Sequence, residues 1–446
     1  MATTYLSKTF GGSADKKKWT WSAWVKRGKL GTGQPLFYAD DGSANYTTFM
    51  RFRDTDQFDF SNQWAGSNDA VLLTNRKFRD PSAWIHLQVV WDSNNSTAAD
   101  RQILYINGVR ETSFATETTS NQNRSSTIND GYEHRIGRGI NSFTSDYFDG
   151  NMTHIHFANG QAYAPTVFGE SDSTSGIWKP KTAPSVTYGT NGFFLKFENS
   201  GAMGTDSSGN SFNWTVNGTL TQNVDTPSNN FATLNPLIYS TSNGTTLSNG
   251  NLTVTSSGAS HKNAFSNFGV QSGKWYAEIK VVTLNTHQKI GVASDDNEEI
   301  NKTSPSEFSG NANGYAYRND GQKEGGGGSI SSFGNTYTAG DIIGVAMDLD
   351  NSKLYFSKNG VFQNSGDPTS GSTGTGAAFT LSSNKTYFLA INHYNSNVSN
   401  FNFGKGYFGT TQVSSAQADD GGLGIMEYDV PANYRVWCTK NIKDYG

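Results

Sequence analysis

The chain has 446 residues, a formal net charge of −4 and only 16% charged residues, and aromatic residues make up 13% of it. The absence of a basic stripe argues against nucleic-acid binding, and the many rings argue against disorder. The 49 glycines, together with the lack of any sustained helical apolar period, favour short strands and long polar loops. We therefore expect an all-β protein.

The first half of the chain predicts a series of short strands. Residues 19–26, WTWSAWVK, alternate in polarity and indicate a half-buried strand. Asn107-Gly108 favours a tight hairpin turn, because both residues tolerate a positive φ. Further strands are expected at 48–52, 57–60, 84–92, 103–107, 134–137 and 151–157. Several short strands at this spacing predict a sandwich or barrel.

The middle of the chain changes in character. Residues 191–199, NGFFLKFEN, predict one strong strand, and 225–236, DTPSNNFATLNP, indicate an ordered, largely extended connector. We place a first domain at 1–235, with the connector at about 220–236.

The second half contains the strongest strand pattern, at 341–361, where period-two apolarity ends in an Asn-Gly turn at Asn359-Gly360. Trp275 and Phe356 are expected to lie in the core. We place a second sandwich at 237–410 and a short extended tail at 411–446.

Two groups of motifs carry family resemblances. WTWSAWVKR, WIHLQVVWD, LYINGVRE, IGRG and YFDGNMTHIHFANGQAYAP resemble a laminin-G or concanavalin-A-like jelly roll over about residues 1–180. WYAEIKVV, KIGVASDD, GYAYRNDGQK, the 341–361 stretch and the closing NFNFG resemble a SPRY (B30.2-like) domain. The whole arrangement, with its connector and tail, resembles virion structural proteins of marine bacteriophages, of tail-fibre or capsid-surface type. This resemblance implies two tandem antiparallel β-sandwiches on the outside of a particle.

Catalytic patterns are weak. The acidic strand motif Glu-x-Asp-x-x-Glu of jelly-roll glycanases is missing, and its nearest approach is Asp54, Asp56 and Asp59 without a glutamate partner. The single cysteine, Cys438, lies in an apolar run and is expected to be packed rather than reactive. We expect no enzyme activity, and a glycan hydrolase is the least favoured function.

Metal ligands are similarly sparse. His154 and His156 lie two apart on a predicted strand, but zinc would need further ligands that the chain does not obviously supply. Laminin-G-like modules often hold calcium in a rim loop, and the weak candidates for such a site are Asp92, Asp146 and Asp149. Apart from calcium we expect no cofactor.

Binding surfaces are expected where loops gather at the ends of the sandwiches, since exposed rings there can stack on sugars or on partner side chains. For each residue, ordinary packing beneath a loop is the alternative reading. The candidates in the second sandwich are Tyr315, Tyr317 and Arg318, in a loop predicted at GYAYRNDG, and His393 and Tyr394 in INHYNSN. The candidate in the first sandwich is Trp64, in the polar loop SNQWAGSN.

The sequence therefore predicts a non-enzymatic virion protein that binds a host-surface glycan or protein. The alternative is a capsid decoration or assembly protein that contacts other virion proteins. The N-terminus has no apolar signal segment and no apolar stretch approaches 18 residues, so we expect synthesis in the host cytoplasm without membrane insertion. We also expect a homo-oligomer.

Overall fold

The computed structural model describes residues 3–12, 14–43, 45–140, 143–239, 244–302 and 306–446. The chain forms two compact units, Met1–Gln222 and Asn223–Gly446. Both are built almost entirely from antiparallel strands, so the predicted all-β fold of two antiparallel sandwiches is confirmed.

The first unit contains strands β1–β16 in chain order. Their bounds are Tyr5–Thr9, Lys18–Arg27, Gln34–Asp40, Thr47–Phe52, Gln57–Trp64, Ser67–Lys77, Ile85–Asp92, Gln102–Ile106, Val109–Arg110, Phe114–Thr118, Glu133–Ile136, Gly150–Asn159, Gly169–Ser171, Trp178–Pro180, Phe193–Leu195 and Thr215–Asn217.

Two sheets of the first unit enclose its core. An eight-stranded sheet runs in the order β10-β6-β5-β4-β3-β11-β1-β16, and a six-stranded sheet runs β15-β12-β2-β7-β8-β9. Trp19 and Trp21 from the small sheet and Phe37 and Phe60 from the large sheet belong to one buried cluster. Large rings fill this core, as the low aliphatic content indicated.

The predicted half-buried strand at 19–26 is buried on both faces, which corrects the expectation. Every residue from Trp19 to Arg27 is buried. The outer face of β2 is covered by later chain: Thr20 Oγ1 donates to the Gln161 carbonyl at 2.8 Å, and Trp178 Nε1 donates at 3.0 Å to His86, the cross-strand neighbour of Trp24. Alternation in the sequence therefore marks the two faces of β2 but not which face meets water.

Two local predictions in the first unit have different outcomes. The Asn107-Gly108 turn forms with φ values of 49° and 79°, as hairpin chemistry requires. The long strand predicted at 191–199 is wrong in extent, since β15 covers only Phe193–Leu195. Phe197 has a φ of 61°, a left-handed conformation that ends the extended run.

The second unit contains strands β17–β34 and helix α1. Their bounds are Leu234–Tyr239, Thr245–Ser248, Thr253–Ser256, His261–Ser266, Lys274–Thr283, Gln288–Ser294, Gly314–Arg318, Gln322–Gly325, Ser329–Ser332, Ile342–Asp348, Lys353–Lys358, Val361–Phe362, Phe379–Thr380, Tyr387–Tyr394, Val398–Asn402, Tyr407–Phe408, Thr411–Gln412 and Arg435–Val436, followed by α1 at Thr439–Tyr445. Single 3-10 turns also occur, for example at Glu298–Asn301 and Phe308–Gly310.

The second unit is again a sandwich. One sheet runs β17-β20-β30-β22-β23-β24-β25, and the other contains the path β18-β19-β31-β21-β26-β27-β28. The predicted hairpin is present as β26 and β27. Asn359 and Gly360 form the next turn, between β27 and β28, with φ values of 49° and 80°. Trp275 and Phe356 are fully buried between the sheets, as expected.

The C-terminal residues are an integral part of this second sandwich. Trp437 is buried in its core, with its ring centroid 5.9 Å from that of Trp275. Strand β34 pairs in parallel with β21, and α1 follows at Thr439–Tyr445, where we expected a short extended tail. Seven residues are too few for a helical period to stand out in the sequence.

The segment that precedes β17 also packs in the second unit. The Ala232 N–H donates to the Trp437 carbonyl at 2.9 Å, and Phe231 forms an isolated antiparallel β-bridge with Cys438. A buried ion pair joins Asp225 to Lys405 at 2.6 Å. The chain entering this sandwich and the chain leaving it therefore meet.

Within the described ranges, no helix has the length and apolarity needed to cross a bilayer.

Candidate binding site

Trp64 is the last residue of β5, not a loop residue as predicted, and its side chain is half-buried. The two-residue turn Ala65-Gly66 follows with φ values of 50° and 76°, the geometry of a tight hairpin. The Gly66 N–H donates to the Asn45 carbonyl at 2.9 Å, which holds this turn against the neighbouring β3–β4 turn. Tyr46 thereby lies edge-on to Trp64, with ring centroids 4.8 Å apart.

An arginine from a distant loop completes this arrangement. The Cζ of Arg124 lies over the Trp64 ring, 4.8 Å from its centroid. Asp69, at the start of β6, accepts from Arg124 Nε at 2.8 Å and from Asn121 Nδ2 at 2.9 Å through the same oxygen. Its second oxygen accepts from Ser120 Oγ at 2.6 Å. The buried carboxylate of Asp69 therefore fixes the guanidinium on the ring.

We call Tyr46, Trp64, Asp69 and Arg124 the Trp64 corner. The tips of its two rings, the Tyr46 hydroxyl and the Trp64 indole N–H, make no hydrogen bond within the described part of the chain and are not among its buried polar atoms. Rings with an apolar body and an available polar tip suit binding of amphipathic ligands such as sugars. Sequence reasoning found Trp64 but missed the other three, which are brought together only by tertiary structure.

Two of the three tyrosines proposed for the second unit, Tyr315 and Tyr317, point into its core. Tyr317 is fully buried on β23, and its ring packs within 5.6 Å of the rings of Phe333, Tyr337 and Phe356. Its hydroxyl donates to the Asn335 carbonyl, and burial raises its pKa well above the ordinary value. Tyr315 lies on the same face and is 7% exposed. The GYAYR motif is therefore a strand, not a loop, so neither residue lines an open surface.

His393 is also an interior residue. Its Nε2 lies 2.9 Å from Ser399 Oγ and its Nδ1 lies 3.2 Å from Ser256 Oγ. Burial, and secondarily the charge of Lys262, lowers the pKa of His393 to about 3. A neutral, enclosed imidazole of this kind stabilises the fold and is not presented to a ligand.

Arg318 and Tyr394 alternate with these inward residues and so occupy the outer face of the same sheet. Both are half-buried. Arg318 Nη1 donates to the buried Glu324 at 2.7 Å, and Tyr394 packs against His261 with centroids 4.8 Å apart. These two candidates therefore share one outer surface, separate from the three buried ones.

The proposed calcium ligands are not brought together. Asp92 pairs with Lys18 at 3.0 Å at the start of β2, whereas the Asp149 carbonyl accepts from Gly28 N–H just beyond its other end. A strand of ten residues separates these points by roughly 30 Å. Asp146 lies near Arg51, and burial raises its pKa. Among residues that the structure describes, no group of three or more His, Cys, Asp or Glu side chains could hold a metal ion.

Two of the three acidic residues nearest to a glycanase pattern, Asp56 and Asp59, are engaged in ion pairs. Asp56 binds Arg27 at 3.1 Å and Arg79 at 2.9 Å, and Asp59 binds Arg51 at 3.3 Å. Each carboxylate is thus held by arginine side chains, which suits a structural role rather than general acid chemistry.

In one serine–histidine pair the hydrogen bond runs in the wrong direction for nucleophilic catalysis. Trp178 Nε1 donates to His86 Nδ1 at 3.0 Å, so the proton of the neutral imidazole lies on Nε2. His86 Nε2 therefore donates to Ser22 Oγ, 2.7 Å away, instead of accepting its proton. Burial lowers the pKa of His86 to about 3. The pair is an internal link between β2 and β7.

His154 and His156 lie close together, as their spacing suggested, with ring centroids 6.5 Å apart. A β-bulge interrupts the pairing of β12 with β2 here, and His154 has a φ of 48°. His156 is buried, stacking on Phe194 at 3.8 Å and lying 2.8 Å from the Tyr188 hydroxyl. Burial lowers its pKa well below the ordinary value.

Comparison with known families agrees with this architecture. Residues 2–167 match the family model of the Concanavalin A-like lectin/glucanases superfamily, and residues 274–406 match that of the SPRY domain. The chain thus combines a laminin-G/concanavalin-like domain with a SPRY domain, as the motifs predicted. Both are domain types associated with binding. No curated protein matches the chain.

Several solved structures are similar to parts of the chain. The SPRY domain of human HERC1 is 18% identical, with 38% of this chain and 96% of that one covered and a TM-score of 0.29. A heptameric SAP-like pentraxin from Limulus polyphemus is 15% identical, with coverages of 36% and 72% and a TM-score of 0.27. A candidate carbohydrate binding protein from Bacteroides ovatus is 15% identical, with coverages of 48% and 56% and a TM-score of 0.31. At this level of similarity these structures carry no argument about function.

Proposed function

We propose that this chain is a non-enzymatic binding protein on the surface of a bacteriophage particle, where it recognises a host-surface glycan or protein as part of a tail fibre or adhesin. The observation that carries the proposal is the Trp64 corner within a lectin-like domain. Two rings at right angles, each with an available polar tip, lie beside an arginine fixed by a buried carboxylate.

The corner suits a glycan for physical reasons. A sugar ring has an apolar face that packs on an aromatic side chain and hydroxyl groups that exchange hydrogen bonds at its edge. Trp64 and Tyr46 offer both kinds of contact. The joined turns hold these rings in place, and Asp69 holds Arg124 over the Trp64 ring. Little conformational entropy is then lost on binding.

The SPRY unit offers a second recognition surface. Arg318 and Tyr394 lie on the outer face of its sheet, where the buried Glu324 fixes the guanidinium. Fixed arginines and tyrosines are common anchors of protein interfaces. This surface suits another virion protein or a host protein.

The location on a phage particle rests on the resemblance of the domain combination to marine phage virion proteins. Immunogold electron microscopy of intact particles, with antibody against this chain, tests it. Gold on the tail or its fibres supports host recognition. Gold over the head favours capsid decoration and would make the outer face of the SPRY sheet the surface to map. Particles without gold would refute the virion role.

The non-enzymatic part of the proposal has its own test. Purified protein is incubated with host polysaccharide, and new reducing ends are measured against a glycanase control. We expect none, because Asp56 and Asp59 are held in ion pairs and the chain has no glutamate partner for them in the motif of a jelly-roll glycanase. Steady release of reducing ends would contradict the proposal.

A further inference from the structure

Resting on the proposed glycan-binding function, we propose that the Trp64 corner selects acidic sugars, whose carboxylate or sulfate group is bound by the terminal nitrogens of Arg124. The feature that points to a charged ligand is the way this arginine is anchored. Its Nε donates a hydrogen bond of 2.8 Å to the buried carboxylate of Asp69.

The inner side of the guanidinium is fully occupied. The Asp69 side chain is 4% exposed, and its two oxygens accept from Arg124, Asn121 and Ser120. This carboxylate accepts three hydrogen bonds and takes only the Nε of Arg124, so it holds the arginine without bonding its two terminal NH₂ groups.

The outer side of the guanidinium is available. Arg124 Nη1 and Nη2 make no hydrogen bond within the described ranges, neither is a buried polar atom, and the side chain is 24% exposed. Two parallel N–H donors in a fixed fork match the two oxygens of a carboxylate, or two of the three oxygens of a sulfate.

The neighbouring aromatic rings indicate that the anionic group belongs to a sugar. Trp64 and Tyr46 meet at 85° beside this fork. A bare anion would gain nothing from them, whereas a sugar residue bearing an acidic group can pack its ring on one and hydrogen-bond the other. The shared chemistry is an anionic oxygen group on a sugar ring.

The test is calorimetric titration of the full chain with tetragalacturonate, with its fully methyl-esterified form and with a heparin-derived tetrasaccharide. The ester keeps the ring and removes the charge, and the heparin fragment adds sulfate. We expect tetragalacturonate, the heparin fragment or both to bind at least tenfold more tightly than the ester, since charge-assisted hydrogen bonds are the strong ones. Affinity should fall as NaCl is raised.

Variants assign the effect to the corner. R124Q should weaken binding of the acidic sugar by roughly tenfold or more. The double variant D69N/R124Q should do the same, and it leaves no unpaired buried carboxylate if R124Q alone unfolds. R138Q is the matched control, because Arg138 also lies over a ring, 4.8 Å from that of Tyr5, but elsewhere on the same unit.

The outcomes separate this inference from the proposed function. Equal affinity for tetragalacturonate and its methyl ester would overturn acidic selectivity while leaving glycan binding intact. Equal losses of affinity in R124Q and R138Q would do the same. Absence of binding to either charged tetrasaccharide would also overturn it. The virion role is judged independently by the immunogold result.

Discussion

The buried ion pair between Lys405 and Asp225 gives the sharpest test of the second unit's architecture. The two side chains are 1% and 0% exposed and their charged atoms lie 2.6 Å apart. Replacing one partner leaves the other charged and enclosed, which typically costs about 3–5 kcal/mol. We expect this loss of stability in the second unit for both K405M and D225N.

The double variant K405M/D225N provides the control. It removes both charges, and the amide oxygen at position 225 can still accept the N–H of Phe231, which Asp225 accepts at 3.4 Å in the native chain. Because replacing both members of a buried pair is often close to neutral, we expect the double variant to recover most of the loss.

Hydrogen exchange followed by mass spectrometry, on peptides from β21 and β26, resolves the second unit from the first. A loss of 3 kcal/mol corresponds to roughly hundredfold faster exchange of amides that open only on unfolding. Protection unchanged in K405M would refute the idea that residues 223–236 are locked into this sandwich. A double variant no more stable than either single one would show that the pair is not the source of the loss.

Three further predictions concern buried groups of the second unit. Burial raises the pKa of Glu278 to about 7, although hydrogen bonds from the backbone N–H groups of Glu427 and Tyr428 oppose this shift. This pKa lies above the value of 4.5 in the unfolded chain, so the folded state binds the proton more tightly. The free energy of unfolding should therefore fall by up to about 3 kcal/mol as pH rises from 4.5 to 8. Urea unfolding should show less of this fall in E278Q, and an identical pH profile would contradict the assignment. Y317A should destabilise the second unit by about 3–5 kcal/mol, because a core ring is lost, and a native exchange pattern in this variant would refute that placement. Cys438 is fully buried with a raised pKa, so a thiol reagent at pH 8 should label it only after denaturation; rapid labelling of the native chain would show an open C-terminal segment.

Much of the fold could be predicted from the sequence, because the signals were local. The Asn-Gly turns at 107–108 and 359–360 and the alternation in β26 determine hairpins within a few residues. Trp275 and Phe356 were assigned to the core from the same alternation, and both are fully buried.

The faces that meet solvent could not be predicted in the same way. The GYAYR motif was interpreted as a loop, but a sheet neighbour on each side makes it a central strand with both tyrosines inward. Strand β2 lost its expected polar exposure because later chain covers it. Both outcomes depend on tertiary packing that alternation does not report.

The candidate site shows the same limit. Trp64 stood out as a large ring among polar residues, but Arg124 lies 60 residues further along the chain and reaches it through a loop anchored on Asp69. Nothing in the local pattern around Arg124 marks it. Its role follows only from the hydrogen bonds that orient it.

The most direct test of glycan binding is to measure the purified chain on an array of immobilised bacterial surface polysaccharides, comparing wild type with W64A. I177A serves as the control, since Ile177 is 64% exposed on the same unit but outside the corner. We predict binding to at least one polysaccharide, lost in W64A and retained in I177A, with native hydrogen exchange in both variants. Binding that survives in a folded W64A protein would contradict the site, and no binding to any polysaccharide would contradict glycan recognition itself.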